Sequence, residues 1–194
     1  MLTFYFAPGS SSMAVHIALH ETGAPFEARP LSLAAKDTRT PEYLAVNPVG
    51  KVPTLVIDGR PLTEVAGCLF YLARTYPEAD LLPVNDPERE AQVVSWMSYL
   101  ASTVHPAVLR DGKDAGREIY KVADARLGRR DWLVGSYSIA DMHLFRLFWR
   151  FGPMLEAERG SFPNLEAHRD RMMARPAVRK TIELEDKVRA SQTR

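Results

Sequence analysis

The chain has 194 residues, 46% of them hydrophobic and 25% charged, with a formal net charge of +1. That length and composition fit one large or two small globular domains with a substantial core, and the near-zero charge gives no electrostatic reason to expect nucleic acid or an anionic membrane as partner. The single cysteine excludes an intrachain disulfide and fits a reducing compartment.

In chain order, Leu2 to Phe6 is a short apolar strand, with no basic region followed by a long apolar run. A secretion signal is not expected, no stretch approaches a membrane span, and a cytoplasmic location is the expectation. Ala7-Pro8-Gly9-Ser10-Ser11-Ser12 ends the strand. A helix over 13–21 follows, closed by Gly23 and Pro25, with serine oxygens available for capping. A weaker strand covers 26–31, and a polar stretch over 36–45 holds a short helix after Thr40-Pro41.

Next comes Asn47-Pro48-Val49-Gly50-Lys51-Val52-Pro53-Thr54-Leu55. Proline lacks an N–H and is costly inside a central strand, so Pro53 belongs to a tight turn ahead of a strand over 54–57 and is a candidate for a cis bond. A cis bond there would turn the Val52 N–H and C=O outward, free to pair with an extended peptide. Asp58-Gly59 is a hairpin signal, and a helix over 64–76 follows. The order β-α-β-α-β-β-α predicts a thioredoxin-like α/β domain over 1–77. Pro77, Pro83 and Pro87 without apolar periodicity mark a linker over 78–87.

The remainder, 88–194, is predicted to be all-α. Val93, Val94, Trp96, Met97 and Leu100 have helical spacing over 89–104, and His105 ends that helix before Pro106. A second helix covers 117–127, with Gly128 at its end. Ser138-Ile139-Ala140-Asp141 has capping-box spacing, with Tyr137 and Met142 placed for a hydrophobic staple. The stripe Ile139, Met142, Phe145, Phe148 and Trp149 reads as a buried central helix. Phe162-Pro163-Asn164-Leu165 starts another helix, Arg175-Pro176 interrupts it, and a final amphipathic helix runs from Val178.

Several residues carry chemical potential. A helix N-terminus has unpaired N–H groups and partial positive charge, so Ser10, Ser11 and Ser12 read either as caps or as hydroxyls able to stabilise a thiolate. Glu64 reads either as a first-turn acid complementing the helix dipole or as the partner of a ligand ammonium, with the Val65 N–H taking the neighbouring carboxylate. His105 at a helix end reads as a cap or as a site residue. His16 and His20, four apart on one helix face, lack the further ligands of a metal site. Cys68 lies on an apolar helix and reads as a buried thiol. There is no Gly-rich phosphate loop or nucleophile elbow.

The stretch Asn47-Pro-Val-Gly-Lys-Val-Pro-Thr-Leu with Leu62-Thr63-Glu64 closely resembles the glutathione-binding half of the glutathione transferase family. Ser138-Ile-Ala-Asp, a folding element in that family, and Ala101-Ser102-Thr103-Val104-His105 make it most similar to the bacterial beta class. The resemblance implies a thioredoxin-like domain followed by an all-α domain, glutathione as co-substrate, a small electrophile as second substrate, and a homodimer. It places glutathione along Val52-Pro53, its γ-glutamyl end at Glu64 and Val65, and His105 in the lining of the active site. Ser98 stands where the family has a contacting asparagine, and Lys36 matches loosely a lysine on the glycine carboxylate. Ser11 stands where beta-class members carry cysteine, so a mixed disulfide cannot form there and a hydroxyl-to-thiolate hydrogen bond takes its place. The alternatives are a non-catalytic or regulatory glutathione-binding protein and a glutathione-dependent isomerase.

Overall fold

The computed structural model describes residues 1–192. It contains two compact units, Met1–Ala79 with the C-terminal helix, and Asp80–Arg175.

The first unit is built on a four-stranded sheet of order β2-β1-β3-β4, with β1 (Leu2–Phe6), β2 (Phe26–Pro30), β3 (Thr54–Ile57) and β4 (Arg60–Thr63). β1 runs parallel to β2 and antiparallel to β3, with Phe4 opposite Leu55, and β3 turns into β4 through Asp58 and Gly59, both at positive φ. Leu2, Phe4 and Phe6 alternate onto the covered face, as period-2 side-chain geometry requires.

Helices α1 (Ser12–Thr22) and α3 (Val65–Thr75) pack together in this unit. Every residue of α1 from Ser12 to Leu19 is buried. A helix buried all round needs cover on more than one side, and the C-terminal helix α9 (Pro176–Gln192) supplies it. The final helix, expected with the helical stretch 88–194, therefore groups with the sheet-bearing unit: Ala177, Val178, Thr181 and Glu185 are its buried residues. Short α2 (Pro41–Val46) is capped by the Thr40 hydroxyl, which accepts the Tyr43 N–H at 3.3 Å.

The second unit contains α4 (Pro87–Tyr99), α5 (His105–Arg110), α6 (Gly112–Leu127), α7 (Ile139–Phe151) and α8 (Pro163–Ala174). Leu81 and Leu82, in the stretch read as linker, are buried, and the Leu81 carbonyl accepts the Ile139 N–H at 3.0 Å. Helical backbone does not stop at Pro106. A π-helical turn over Leu100–Val104, in which the His105 N–H reaches the Leu100 carbonyl, joins α4 to α5. Proline cannot donate the next ladder bond; the wider turn shifts the ladder before Pro106 and places that residue in the first turn of α5, where no donor is needed.

The predicted capping box is present. The Asp141 carboxylate accepts the Ser138 N–H at 2.9 Å, and it also takes the Leu133 N–H at 2.9 Å and faces His168 Nε2 at 3.0 Å. Asp124 does similar work at α8, accepting the N–H groups of Asn164 and Leu165, each at 2.9 Å. Buried carboxylates that accept several such bonds fix the placement of whole helices.

Candidate active site

The loop Ala7–Ser11 links β1 to α1 and brings the three serines to the helix start. Their environments differ. Ser12 is fully buried, and its hydroxyl accepts the Ala7 N–H and lies within reach of the Ala7 carbonyl, both at 3.2 Å. Ser10 Oγ is 2.7 Å from Ser12 Oγ and accepts the Ser12 N–H at 3.2 Å. A hydroxyl has one proton and two acceptor positions, and the Ser12 hydroxyl already faces three protein partners, the Ala7 N–H, the Ala7 carbonyl and Ser10 Oγ. Its burial gives it a structural role in holding the loop to the helix start.

Ser11 is different. It is half-buried at the N-cap of α1, makes no capping bond, and its hydroxyl reaches the Val52 carbonyl at 3.4 Å. That bond is long and readily exchanged for a better acceptor. No acidic residue occupies the first turn of α1 itself, so its partial positive charge is not offset by a side chain of its own helix.

The segment carrying Val52 is held from below. The Val52-Pro53 bond is cis. Tyr43 Oη donates to the Lys51 carbonyl at 2.6 Å and lies 2.9 Å from Thr54 Oγ1. The Asn47 amide donates to the same two oxygens at 2.8 and 3.0 Å, while its own oxygen accepts the Val49 N–H at 3.1 Å. Gly50 sits at φ +63, and a Cβ there would stand 2.7 Å from the Thr38 carbonyl oxygen and from an Arg39 side-chain nitrogen. Only glycine fits that approach. The motif Asn-Pro-Val-Gly-Lys-Val-Pro is thus a set of braces that present Val52, with Tyr43 a brace that the motif did not reveal.

Glu64 caps α3 at φ 65 and ψ 136, is exposed, and makes no side-chain cap bond. A bulky residue at positive φ is uncommon, and such outliers cluster at ligand sites. Val65 follows at the first helical position with its side chain buried, so the residue offers its backbone and not its side chain. Lys36 is exposed, at φ 61 ahead of the short turn Asp37–Arg39. Ser98, exposed on α4, and His105, half-buried at the start of α5, belong to the second unit.

Two readings of side chains outside the site are resolved by their surroundings. Burial pushes the Cys68 thiol up to about 12, and its Sγ donates to the Leu62 carbonyl, so it is inert at neutral pH. His16 and His20 lie with ring centroids 4.9 Å apart, and among the described residues no group of three metal-binding side chains exists. His16 Nδ1 instead meets Glu185 Oε1 at 3.0 Å, and Glu185 Oε2 accepts the Gly9 N–H at 2.7 Å. Glu185 was missed in the sequence, since nothing in an amphipathic C-terminal helix announces a partner 176 residues upstream.

Comparison with known proteins agrees with this architecture. Residues 10–75 match the glutathione S-transferase N-terminal domain and residues 94–176 the glutathione S-transferase C-terminal domain. The chain is 31% identical over 201 residues to glutathione S-transferase GstA of Escherichia coli O157:H7, covering 95% of this chain and 98% of that protein. The chain belongs to the glutathione S-transferase family. A maleylacetoacetate isomerase of Rhizobium meliloti is 40% identical over 125 residues, covering 64% of this chain and 57% of the isomerase. Among solved structures, a sphingomonad glutathione S-transferase complexed with glutathione is 31% identical, with a TM-score of 0.85 over 95% of this chain and 98% of that one. No helix among the described residues of this transferase-family chain is long and apolar enough to cross a membrane.

Proposed function

We propose that this protein is a glutathione transferase that uses Ser11 to hold the glutathione thiolate and conjugates it to an electrophilic small molecule. The observation that carries the reading is the approach of Ser11 Oγ to the Val52 carbonyl at 3.4 Å across 41 residues of sequence. It joins a thiolate-favouring helix start to a braced backbone edge suited to a short peptide. Glutathione pairs with Val52 beside Pro53, its γ-glutamyl ammonium faces Glu64, and the adjacent carboxylate takes the Val65 N–H. Lys36, Ser98 and His105 enter on the family resemblance, with Lys36 assigned to the glycine carboxylate.

The chemistry follows from that placement. Bound thiol gives its proton to solvent, because the charged form gains the helix N-terminus and the Ser11 O–H as partners. The sulfur then forms a C–S bond with the electrophilic carbon, and the leaving group departs with the bonding pair. Most of the rate gain comes from ionising and positioning the thiol, within the limit that too strong a hold lowers its nucleophilicity. A cytoplasmic homodimer is part of the same proposal.

The similarity to a maleylacetoacetate isomerase favours a second reading, in which the same thiolate adds to an activated double bond, the bond rotates, and the thiolate leaves again. Far-ultraviolet thiolate absorbance of glutathione against pH, with and without the protein, tests the common step. A bound thiol that ionises well below free glutathione supports activation; binding without a shift favours a carrier or regulator; no binding sinks both readings. Glutathione consumed in step with a model electrophile separates conjugation from isomerisation, which leaves glutathione unchanged.

A further inference from the structure

A cleft of about 650 Å³ lies within the Asp80–Arg175 unit, walled by the end of α7, the 3-10 turn Gly152–Leu155, the loop over 156–162 and α8. Small-molecule sites occupy about 300–1,000 Å³, so the volume suits one. Its floor is aromatic. Phe148 and Phe162 are buried with ring centroids 6.0 Å apart, and Trp149 stands half-buried beside them. Among the described residues no other ring and no cationic side chain stacks on Trp149. Gly152 also lines the cleft, and a Cβ there would stand 3.2 Å from the Phe148 ring, so the missing side chain leaves that ring uncrowded.

The loop that forms the rim is held in place. Glu166 Oε1 accepts the Gly160 N–H at 2.9 Å, the Glu158 carbonyl accepts the Ser161 N–H at 3.1 Å, and Arg117 Nε donates to the Leu155 carbonyl at 2.8 Å. The loop carries Glu158 and Arg159, both exposed, and neither side chain has a hydrogen bond or ion pair among the described residues. On α8, Arg169 is paired with Asp170. With Glu166 the rim sets three carboxylates against two guanidinium groups and is net acidic. None of the residues proposed to hold glutathione lines this cleft.

We infer that this cleft is a second binding site, for an amphipathic aromatic amine that binds independently of glutathione. The ligand ring leaves water for the floor of Phe148 and Phe162, and the ammonium takes the open face of Trp149, with Glu158 at the rim as its counter-charge. Tryptophan attracts a cation to its ring face more strongly than the other aromatic side chains do, and burying the ligand ring supplies the apolar part of the affinity. An aromatic carboxylate has only Arg159 to meet it, against Glu158 and Glu166, because Arg169 is taken by Asp170. Charge at the rim therefore selects the amine over the acid.

The test titrates the full-length protein at neutral pH with 4-phenylbutylamine and, separately, with 4-phenylbutyrate, two probes that share a ring and chain and differ in charge. Binding is read by the shift of the Trp149 indole N–H signal in NMR, identified by its loss in Trp149→Phe. The amine is expected to shift that signal saturably and to bind more tightly than the acid. Glu158→Gln weakens the amine about threefold and Arg159→Gln tightens it by a similar factor, the scale of an exposed charge pair; the acid responds in the opposite sense. No saturable shift with the amine overturns the inference, as does tighter binding of the acid; both are read on the wild-type protein and need no variant. Amine affinity indifferent to both substitutions in folded variants overturns it too. Glutathione binding, followed by thiolate absorbance, is unchanged by either substitution and by saturating amine; competition between the two ligands would put the amine in the glutathione site and overturn the inference. Failure of the wild-type protein to bind glutathione sinks the transferase reading while leaving the amine titration as measured.

Discussion

His16 Nδ1 stands 3.0 Å from Glu185 Oε1 across 169 residues, and the second oxygen of that carboxylate holds the Gly9 N–H at 2.7 Å. All of this is buried, with the His16 side chain 2% and the Glu185 side chain 0% exposed. One carboxylate on the C-terminal helix thereby fixes both the first helix and the loop that presents the serines. Glu185→Ala leaves two buried donors unpaired, and the expected cost is about 3 kcal/mol. Urea unfolding monitored by circular dichroism reads it directly. A loss under about 1 kcal/mol would mean that the loop holds its shape without the carboxylate.

The serines separate by the same logic. Ser12→Ala removes a buried hydroxyl that accepts the Ala7 N–H, so stability falls by about 1–3 kcal/mol while the pKa of bound glutathione stays where it is. Ser11→Ala gives the opposite pattern, with the thiol pKa raised and the unfolding midpoint nearly unchanged. Should Ser11→Ala leave the thiol pKa alone, the thiolate contact moves to Ser10, whose oxygen already bonds to Ser12.

How much of this was legible in the sequence follows from the range of the interactions. The sheet, its helices and the Ser138–Asp141 box come from local periodicity and capping chemistry, which act within one or two turns. The cis Val52-Pro53 bond was legible because a contiguous motif carries it, and Glu64, proposed from the same motif, has a positive φ. Tyr43 and Glu185 were not found, because their roles depend on which distant atoms the fold brings to them. The helix through Pro106 was misread because proline normally ends a helix, and the π-helical turn that accommodates it has no clear sequence signal. The final helix joined the sheet-bearing unit for a similar reason: amphipathicity shows that one face is buried, never against what.

Acid should destabilise the fold through its buried histidines. His143 falls from the ordinary 6.5 to about 3 and His20 to about 4, in both cases chiefly through burial. A histidine depressed in the folded state binds its proton only after unfolding, so its stabilising contribution is present above pH 6.5 and is lost as pH falls toward the folded value. For His143 the loss between pH 7 and pH 5 is about 2 kcal/mol. His143→Leu should show a smaller difference between urea midpoints at those two pH values. An unaltered difference would assign the acid sensitivity elsewhere, His20 first.

Thr181 offers the reverse experiment, a stabilising change. Its side chain is fully buried on α9, and its hydroxyl has no hydrogen-bond partner among the described residues. Desolvating an unpaired hydroxyl costs free energy on every folding event. Valine keeps the branched shape, exchanges that hydroxyl for a methyl, and suits a helix face packed against α1. Thr181→Val should therefore raise stability by about 1 kcal/mol with glutathione binding unchanged, since the site loop is held by Glu185 one turn further on. Thermal unfolding reads the gain. A loss would show that Thr181 Oγ1 has a bound water as its partner, so that the face of α9 toward α1 is wet and the hydroxyl belongs to the hydrogen-bonded set around His16 and Glu185.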